Sequence, residues 1–145
     1  MKAVVQRVLC ASLHVNEELV SRTGAGLVVY LGIAVGDTQQ QADGIAQKIA
    51  NLRIFEDSQH KMNLSARSLN RELLLVSQFT LLADCSRGNR PGFEQAEQPH
   101  KARALYEYTA ERLRSLGLCV QTGVFGADMK ITQVNDGPVT ILLEK

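Results

Sequence analysis

Leu27-Val28-Val29-Tyr30-Leu31-Gly32-Ile33-Ala34-Val35 runs straight into Gly36-Asp37-Thr38, and the fold class turns on this junction. The nearly unbroken apolar run lacks the alternation of a strand with one wet face, so it predicts a strand buried on both faces. Gly36-Asp37-Thr38 ends the strand and offers a helix cap. Beyond it Ala42, Ile45, Ala46, Ile49 and Ala50 recur at helical spacing. A helix is therefore expected from about Thr38 to Leu52, despite the interior Gly44. A doubly buried strand feeding an amphipathic helix points to an α/β domain.

The same reading extends outward. Lys2 to Val8, Ser12 to Val15 and Glu18 to Arg22 read as strands, the last two joined at Asn16-Glu17, and Gly24-Ala25-Gly26 reads as a turn. Arg53 to Phe55 is short and extended, and Glu56 to His60 is a polar turn. Leu73 to Val76 is a compact strand core that continues into Ser77-Gln78-Phe79-Thr80-Leu81. Ala83 to Gln98 is loop. Pro99 suits the first turn of a second helix, with Ala102, Leu105, Thr109, Leu113 and Leu116 on one face and Gly117 at its end. Cys119 to Thr122, Met129 to Val134 and Val139 to Leu143 read as strands, with Asn135-Asp136-Gly137-Pro138 as the turn between the last two. Roughly eight strands and two main helices imply one α/β domain over residues 1–145, the helices packed on a mixed, curved or doubled, barrel-like sheet.

With 45% hydrophobic and 21% charged residues among 145, the composition excludes disorder. Sixteen basic and 15 acidic residues leave a net charge of +1, so no global field holds the chain on nucleic acid and any RNA contact must be local. Met1 to Arg7 has no signal-peptide core, and no apolar run reaches the roughly 18 residues of a membrane span. A soluble, cytoplasmic protein is expected. Cys10, Cys85 and Cys119 lack the spacing of a zinc site or disulfide framework. Cys10 and Cys119 are expected as small core residues, and Cys85 in a polar loop. His14, His60 and His100 are scattered, and Asp57, Asp84, Asp128 and Asp136 form no acid–base pair. Neither metal nor cofactor is expected.

Two stretches can carry chemistry. Ser77-Gln78-Phe79-Thr80 follows a buried strand, so its hydroxyls, amide and backbone N–H groups emerge at a strand end, where open sheets place ligands and where amides can face an oxyanion. Taken alone, such a tetrapeptide is more often structural. In Asn135-Asp136-Gly137-Pro138, Gly permits positive φ and Pro removes a donor, so the turn offers carbonyl oxygens that can accept from an ammonium group. Taken alone, it reads as an ordinary Asp-Gly hairpin.

Together with their surroundings, these stretches make the chain resemble the D-aminoacyl-tRNA deacylase family over essentially its whole length. The match comprises Val4-Val5-Gln6-Arg7-Val8, Arg53-Ile54-Phe55 with Asp57 and Lys61-Met62-Asn63, and Val76-Ser77-Gln78-Phe79-Thr80-Leu81. It continues through Arg87-Gly88, Arg90-Pro91, Gly123, Phe125-Gly126-Ala127, Met129 and Val134-Asn135-Asp136-Gly137-Pro138-Val139-Thr140. The resemblance implies a homodimer in which Gly137-Pro138, cis in that family, reaches into the other subunit's active site, faced by Ser77, Gln78, Phe79 and Thr80. It assigns Arg7 to bracing the Gly-Pro turn, and Phe125, Gly126, Ala127 and Met129 to a pocket for the terminal adenosine of an aminoacyl-tRNA acceptor end. The chain departs from the family at Cys10, where arginine is usual, at His60, where glycine is usual, and at Gly92, where serine is usual.

The activity implied is hydrolysis of the ester of D-aminoacyl-tRNA, extending to glycyl-tRNA mischarged on tRNA(Ala), with L-substrates rejected by a clash against the Gly137-Pro138 carbonyls. An aminoacyl ester is already activated, so positioning and oxyanion stabilisation by the amides of Phe79 and Thr80 can supply much of the rate. The attacking group is either Thr80 or water assisted by the RNA 2′-hydroxyl. Three rivals carry less support. A related deacylase for L-amino acids resembles the family with a smaller residue in place of Phe79. A non-catalytic RNA module using Arg87 and Arg90 sits poorly with the near-neutral charge. A general esterase lacks its nucleophile-elbow motif.

Overall fold

The computed structural model describes residues 1–145. Eight strands and two helices follow in the order β1 (Lys2–Val15), β2 (Glu18–Thr23), β3 (Gly26–Gly32), α1 (Gln39–Asn51), β4 (Arg53–Glu56), β5 (Met62–Ser65), β6 (Glu72–Ser77), α2 (Pro99–Ser115), β7 (Cys119–Thr122) and β8 (Lys130–Glu144). A short 3-10 turn, Phe79–Leu82, follows β6.

The deciding junction folds as read in its strand core and its helix, but β3 ends at Gly32 and not at Val35, which lies in a turn and is exposed. Leu27, Val28, Val29 and Leu31 are buried, because β3 lies between antiparallel β1 and parallel β6, with β7 beyond it. Thr38 caps α1: its hydroxyl accepts from Gln40 N–H at 3.2 Å, and its own N–H donates to Gln41 Oε1 at 2.9 Å. The apolar stripe Ala42, Ile45, Ala46, Ile49 and Ala50 is buried. It joins α2 and one sheet face in the larger core, while Val8, Ala11, Leu13, Val28, Leu74 and Val76 fill a smaller core on the other face of the curved sheet. No helix is long and apolar enough to cross a membrane.

Three expectations are corrected. The first two strands are one, β1, and the last two are one, β8, paired antiparallel along their length. Register shifts between Gln6 and Val8 and between Val8 and Cys10 reset the inward–outward alternation, which is why each strand reads as two. Asn135 to Pro138 is therefore no hairpin: both of its flanks pair with the same strand, Asn135 with Val8 and Thr140 with Gln6. Cys10 and Cys119 are exposed, not core. Cys10 lies just past the irregularity at Val8, and Cys119 opens an edge strand whose alternation buries Val120 instead.

The Arg53 and Lys61-Met62-Asn63 motifs serve structure. Arg53 donates to the backbone and side-chain oxygens of Asn63 at 2.8 and 2.9 Å, tying β4 to β5. Asp57 accepts from Asn63 Nδ2 at 2.6 Å, and its other oxygen accepts from the N–H groups of Gln59 and Lys61. These bonds, that from Asn63 foremost, hold its carboxyl below the usual aspartate range. His60 occupies this turn at φ 58°, a left-handed conformation, where the family resemblance has glycine.

Candidate active site

β6 delivers Ser77 to a strand end. Ser77 pairs in register with Leu31 of β3, and Gln78 N–H makes a further bond, to Leu31 C=O at 2.8 Å. The chain then tightens into the 3-10 turn, whose first internal bond runs from Leu81 N–H to Gln78 C=O at 3.3 Å. The N–H groups of Phe79 and Thr80 precede that bond and are the turn's unsatisfied leading donors. The Gln78 side-chain amide donates to the Thr80 hydroxyl.

A cavity of about 600 Å³ opens here, a size suited to a small-molecule moiety. Ser77, Gln78 and Phe79 line one part of it, Phe125, Gly126, Ala127 and Met129 another, and Leu31, Val76 and Ile131 contribute apolar surface between. Phe93 meets Phe79 edge-on, with ring centroids 5.0 Å apart. Phe125 is held by Tyr106, at 5.8 Å between centroids, and by the Arg103 guanidinium, 5.3 Å from its ring centre. The Tyr106 hydroxyl donates to Leu75 C=O at 2.8 Å, and Gly123 N–H donates to the same carbonyl at 3.0 Å. One carbonyl of β6 thus ties α2 and the Phe125 loop to the strand bearing Ser77. Burial raises the Tyr106 hydroxyl's pKa well above the ordinary phenol range, which keeps it a neutral donor.

The lining contains two carboxylates, Glu97 and Asp128, and no histidine, cysteine or lysine. Glu97 is held below the usual glutamate range, chiefly by the N–H of Gln98, so it is ionised and a weak base at neutral pH. Asp128 pairs with Lys130 at 3.1 Å. No group of three or more His, Cys, Asp or Glu side chains is placed to hold a metal ion. What the cavity offers is an apolar slot edged by the Gln78 and Gln98 amides and the Ser77 hydroxyl, suited to positioning and to meeting an oxyanion with backbone N–H groups.

Gly137 and Pro138 lie elsewhere in the chain. Because Gln6 pairs with Thr140 and Val8 with Asn135, residues Asp136 to Val139 bulge out opposite Arg7 alone. The Gly137–Pro138 peptide bond is cis, and Gly137 has φ 115°. Both residues are exposed, and neither lines the cavity of its own chain. Arg7, 5% exposed, lies beneath the bulge. Its Nη1 donates to Ile54 C=O at 2.6 Å, and its Nε sits 2.9 Å from Asp136 Oδ2 as an ion pair without hydrogen-bond geometry. The matched Arg53-Ile54-Phe55 segment therefore supports the bulge through Arg7. Thr80 is also exposed and outside the cavity lining.

The fold thus brings Ser77, Gln78 and Phe79 together with Phe125, Gly126, Ala127 and Met129, and keeps Gly137 and Pro138 apart from them. Sequence reasoning did not find Phe93, Tyr106 or Arg103. Phe93 stands in a loop read for its turn residues and its arginines, and the other two stand on a helix read for its apolar face and its ends.

A family model described as D-Tyr-tRNA(Tyr) deacylase matches residues 4–144. The chain belongs to that family. Curated D-aminoacyl-tRNA deacylases resemble it along its length: that of Myxococcus xanthus is 55% identical over 144 residues, covering 99% of this chain and 94% of the relative. That of Thermotoga petrophila is 51% identical, covering 99% and 97%. The solved structure of a protein named c-Myc DNA Unwinding Element Binding Protein superposes with a TM-score of 0.94 at 44% identity, covering 100% of this chain and 99% of that one. A structure described as a probable eukaryotic D-amino acid tRNA deacylase shares the fold, with a TM-score of 0.84 at 18% identity over 98% and 97% of the two chains.

Proposed function

We propose that this deacylase-family chain hydrolyses the ester joining a D-amino acid to the 3′ end of tRNA, as a homodimer in which each copy lends its Gly137-Pro138 bulge to the other's cavity. The observation that carries this reading is the separation of the two motifs: the cavity beside Ser77 to Phe79 is open, and the bulge is braced yet exposed. A second copy has a place to dock. β8 pairs with β1 alone, and Leu9, Val134 and Leu142 leave apolar surface exposed along this strand pair, Leu142 at 76%.

In this reading the terminal adenosine lies against Phe125, Gly126, Ala127 and Met129, and the carbonyl oxygen of the ester meets the N–H groups of Phe79 and Thr80. The Gly137 and Pro138 carbonyls of the partner copy accept from the substrate α-ammonium. An L-side chain then clashes where hydrogen or a D-side chain fits. Glycyl-tRNA mischarged on tRNA(Ala) would be a substrate for the same reason. The chemistry needs no metal or cofactor, and the cytoplasm is the place of action. The Thr80 hydroxyl accepts from the Gln78 amide and lies outside the cavity lining, which favours water assisted by the RNA 2′-hydroxyl over a covalent Thr80 route. A non-catalytic DNA-binding reading, prompted by the name of the 44% identical structure, finds little support in a net charge of +1, which supplies no general field for a duplex.

The test is deacylation of matched D- and L-tyrosyl-tRNA: the D-ester is expected to be cleaved at least about 100-fold faster, and equal rates would end the chiral reading. Thr80→Ala is expected to keep turnover within about threefold, whereas a covalent route requires a loss of several orders of magnitude.

A further inference from the structure

We infer that Gln133 is a positioning residue that holds both ends of the Asn135–Thr140 bulge at once, and so sets how its carbonyls meet a substrate; the inference rests on the proposed function of that bulge. Gln133 Nε2 donates to Gln6 Oε1 at 2.7 Å and to Asn135 Oδ1 at 2.6 Å, while its Oε1 accepts from the Tyr30 hydroxyl at 3.1 Å. Gln6 in turn donates through Nε2 to Thr140 Oγ1 at 3.3 Å. Asn135 and Thr140 are the two residues whose pairing with Val8 and Gln6 brackets the bulge. One amide therefore reaches the first end directly and the second through Gln6.

Both hydrogens of Nε2 meet oxygens and its oxygen meets a hydroxyl, so every polar group of that amide is satisfied. Tyr30 anchors the network to β3, directly beside the strand that carries Ser77: it pairs with Val76, and its neighbour Leu31 pairs with Ser77. Gln133 continues the alternate positions of Met129, just before β8, and Ile131 within it, both of which line the cavity. Arg7 supports the bulge from within the core, and Gln133 ties down its flanks. All five side chains of the network are uncharged at neutral pH, so the brace does not depend on pH there.

The experiment compares unaltered protein, Gln133→Met and Tyr30→Phe by hydrogen–deuterium exchange of peptides spanning 135–140 and by kinetics on D- and L-tyrosyl-tRNA. Gln133→Met is expected to speed exchange in the bulge at least about threefold without changing α2. It should also lower the D/L ratio of kcat/KM about tenfold, through KM of the D-ester rather than kcat. Tyr30→Phe, which removes one hydroxyl and keeps the ring, is expected to show smaller shifts in the same direction, and it carries the test if Gln133→Met fails to fold. Unchanged exchange at the bulge, or faster exchange with an unchanged D/L ratio, overturns the inference. Faster exchange in a protein that never distinguished D from L would uphold the brace and refute the proposed function instead.

Discussion

Gly137→Ala is expected to lower kcat/KM on D-tyrosyl-tRNA about 100-fold, the scale of loss that a misplacement of roughly 1 Å produces at a positioned catalytic group. Gly137 sits at φ 115°, where a residue with a Cβ is strained. An added methyl carbon would lie 2.9 Å from Val139 Cγ2 and 3.1 Å from Arg7 Nη2. Val139 and Arg7 are both buried, so neither withdraws without disturbing the core. The bulge must shift, and its carbonyls shift with it. Loss of stability should stay near 1–3 kcal/mol, the usual cost of one strained residue. Initial rates on D-tyrosyl-tRNA, alongside a thermal melt, separate the two effects. An unchanged kcat/KM would show that the bulge takes no part in catalysis.

Arg7→Met is expected to lower the melting temperature by roughly 5–10 °C and to erode D/L selectivity. The substitution keeps much of the apolar stem and removes the charge. Ile54 C=O then loses a buried, charge-assisted bond, worth about 1.5–3 kcal/mol. The ion pair with Asp136 adds less, because the Asp136 side chain is 40% exposed and solvent screens it. For a domain of this size each kcal/mol corresponds to about 2–4 °C. Calorimetry measures the first effect and the ratio of D to L rates the second. A stable Arg7→Met protein with full selectivity would remove Arg7 from the account.

What was legible in the sequence follows from how local its cause is. The β3 core and the capped start of α1 depend on residues within a few positions of one another, and they fold as read, although β3 stops at Gly32, short of Val35. Ser77 to Thr80 could be placed at a strand end because Leu73 to Val76 announces the strand. The bulges in β1 and β8 have no local signature. Asp136-Gly137 carries ordinary turn chemistry, and what makes it a bulge is that both flanks pair with a strand near the opposite end of the chain. The same reset of alternation turns Cys10 outward. Met62 to Ser65 was missed as a strand because its pairing with β4 rests on Arg53, Asp57 and Asn63 instead of apolar alternation. In the site, Phe125 and Met129 were named through family resemblance. The Tyr106 and Gly123 bonds to Leu75 that set the Phe125 loop exist only once α2 packs on β6 and β7 pairs with it.

The most direct measurement mixes two damaged chains. Ala127→Trp fills the cavity and leaves the bulge intact, whereas Gly137→Ala damages the bulge and leaves the cavity intact. If the bulge serves the other copy, a mixed dimer holds one complete site. Random pairing should then restore D-tyrosyl-tRNA hydrolysis to about a quarter of the unaltered rate. No recovery above either variant alone, in preparations shown to contain mixed dimers, would contradict a site built from two chains.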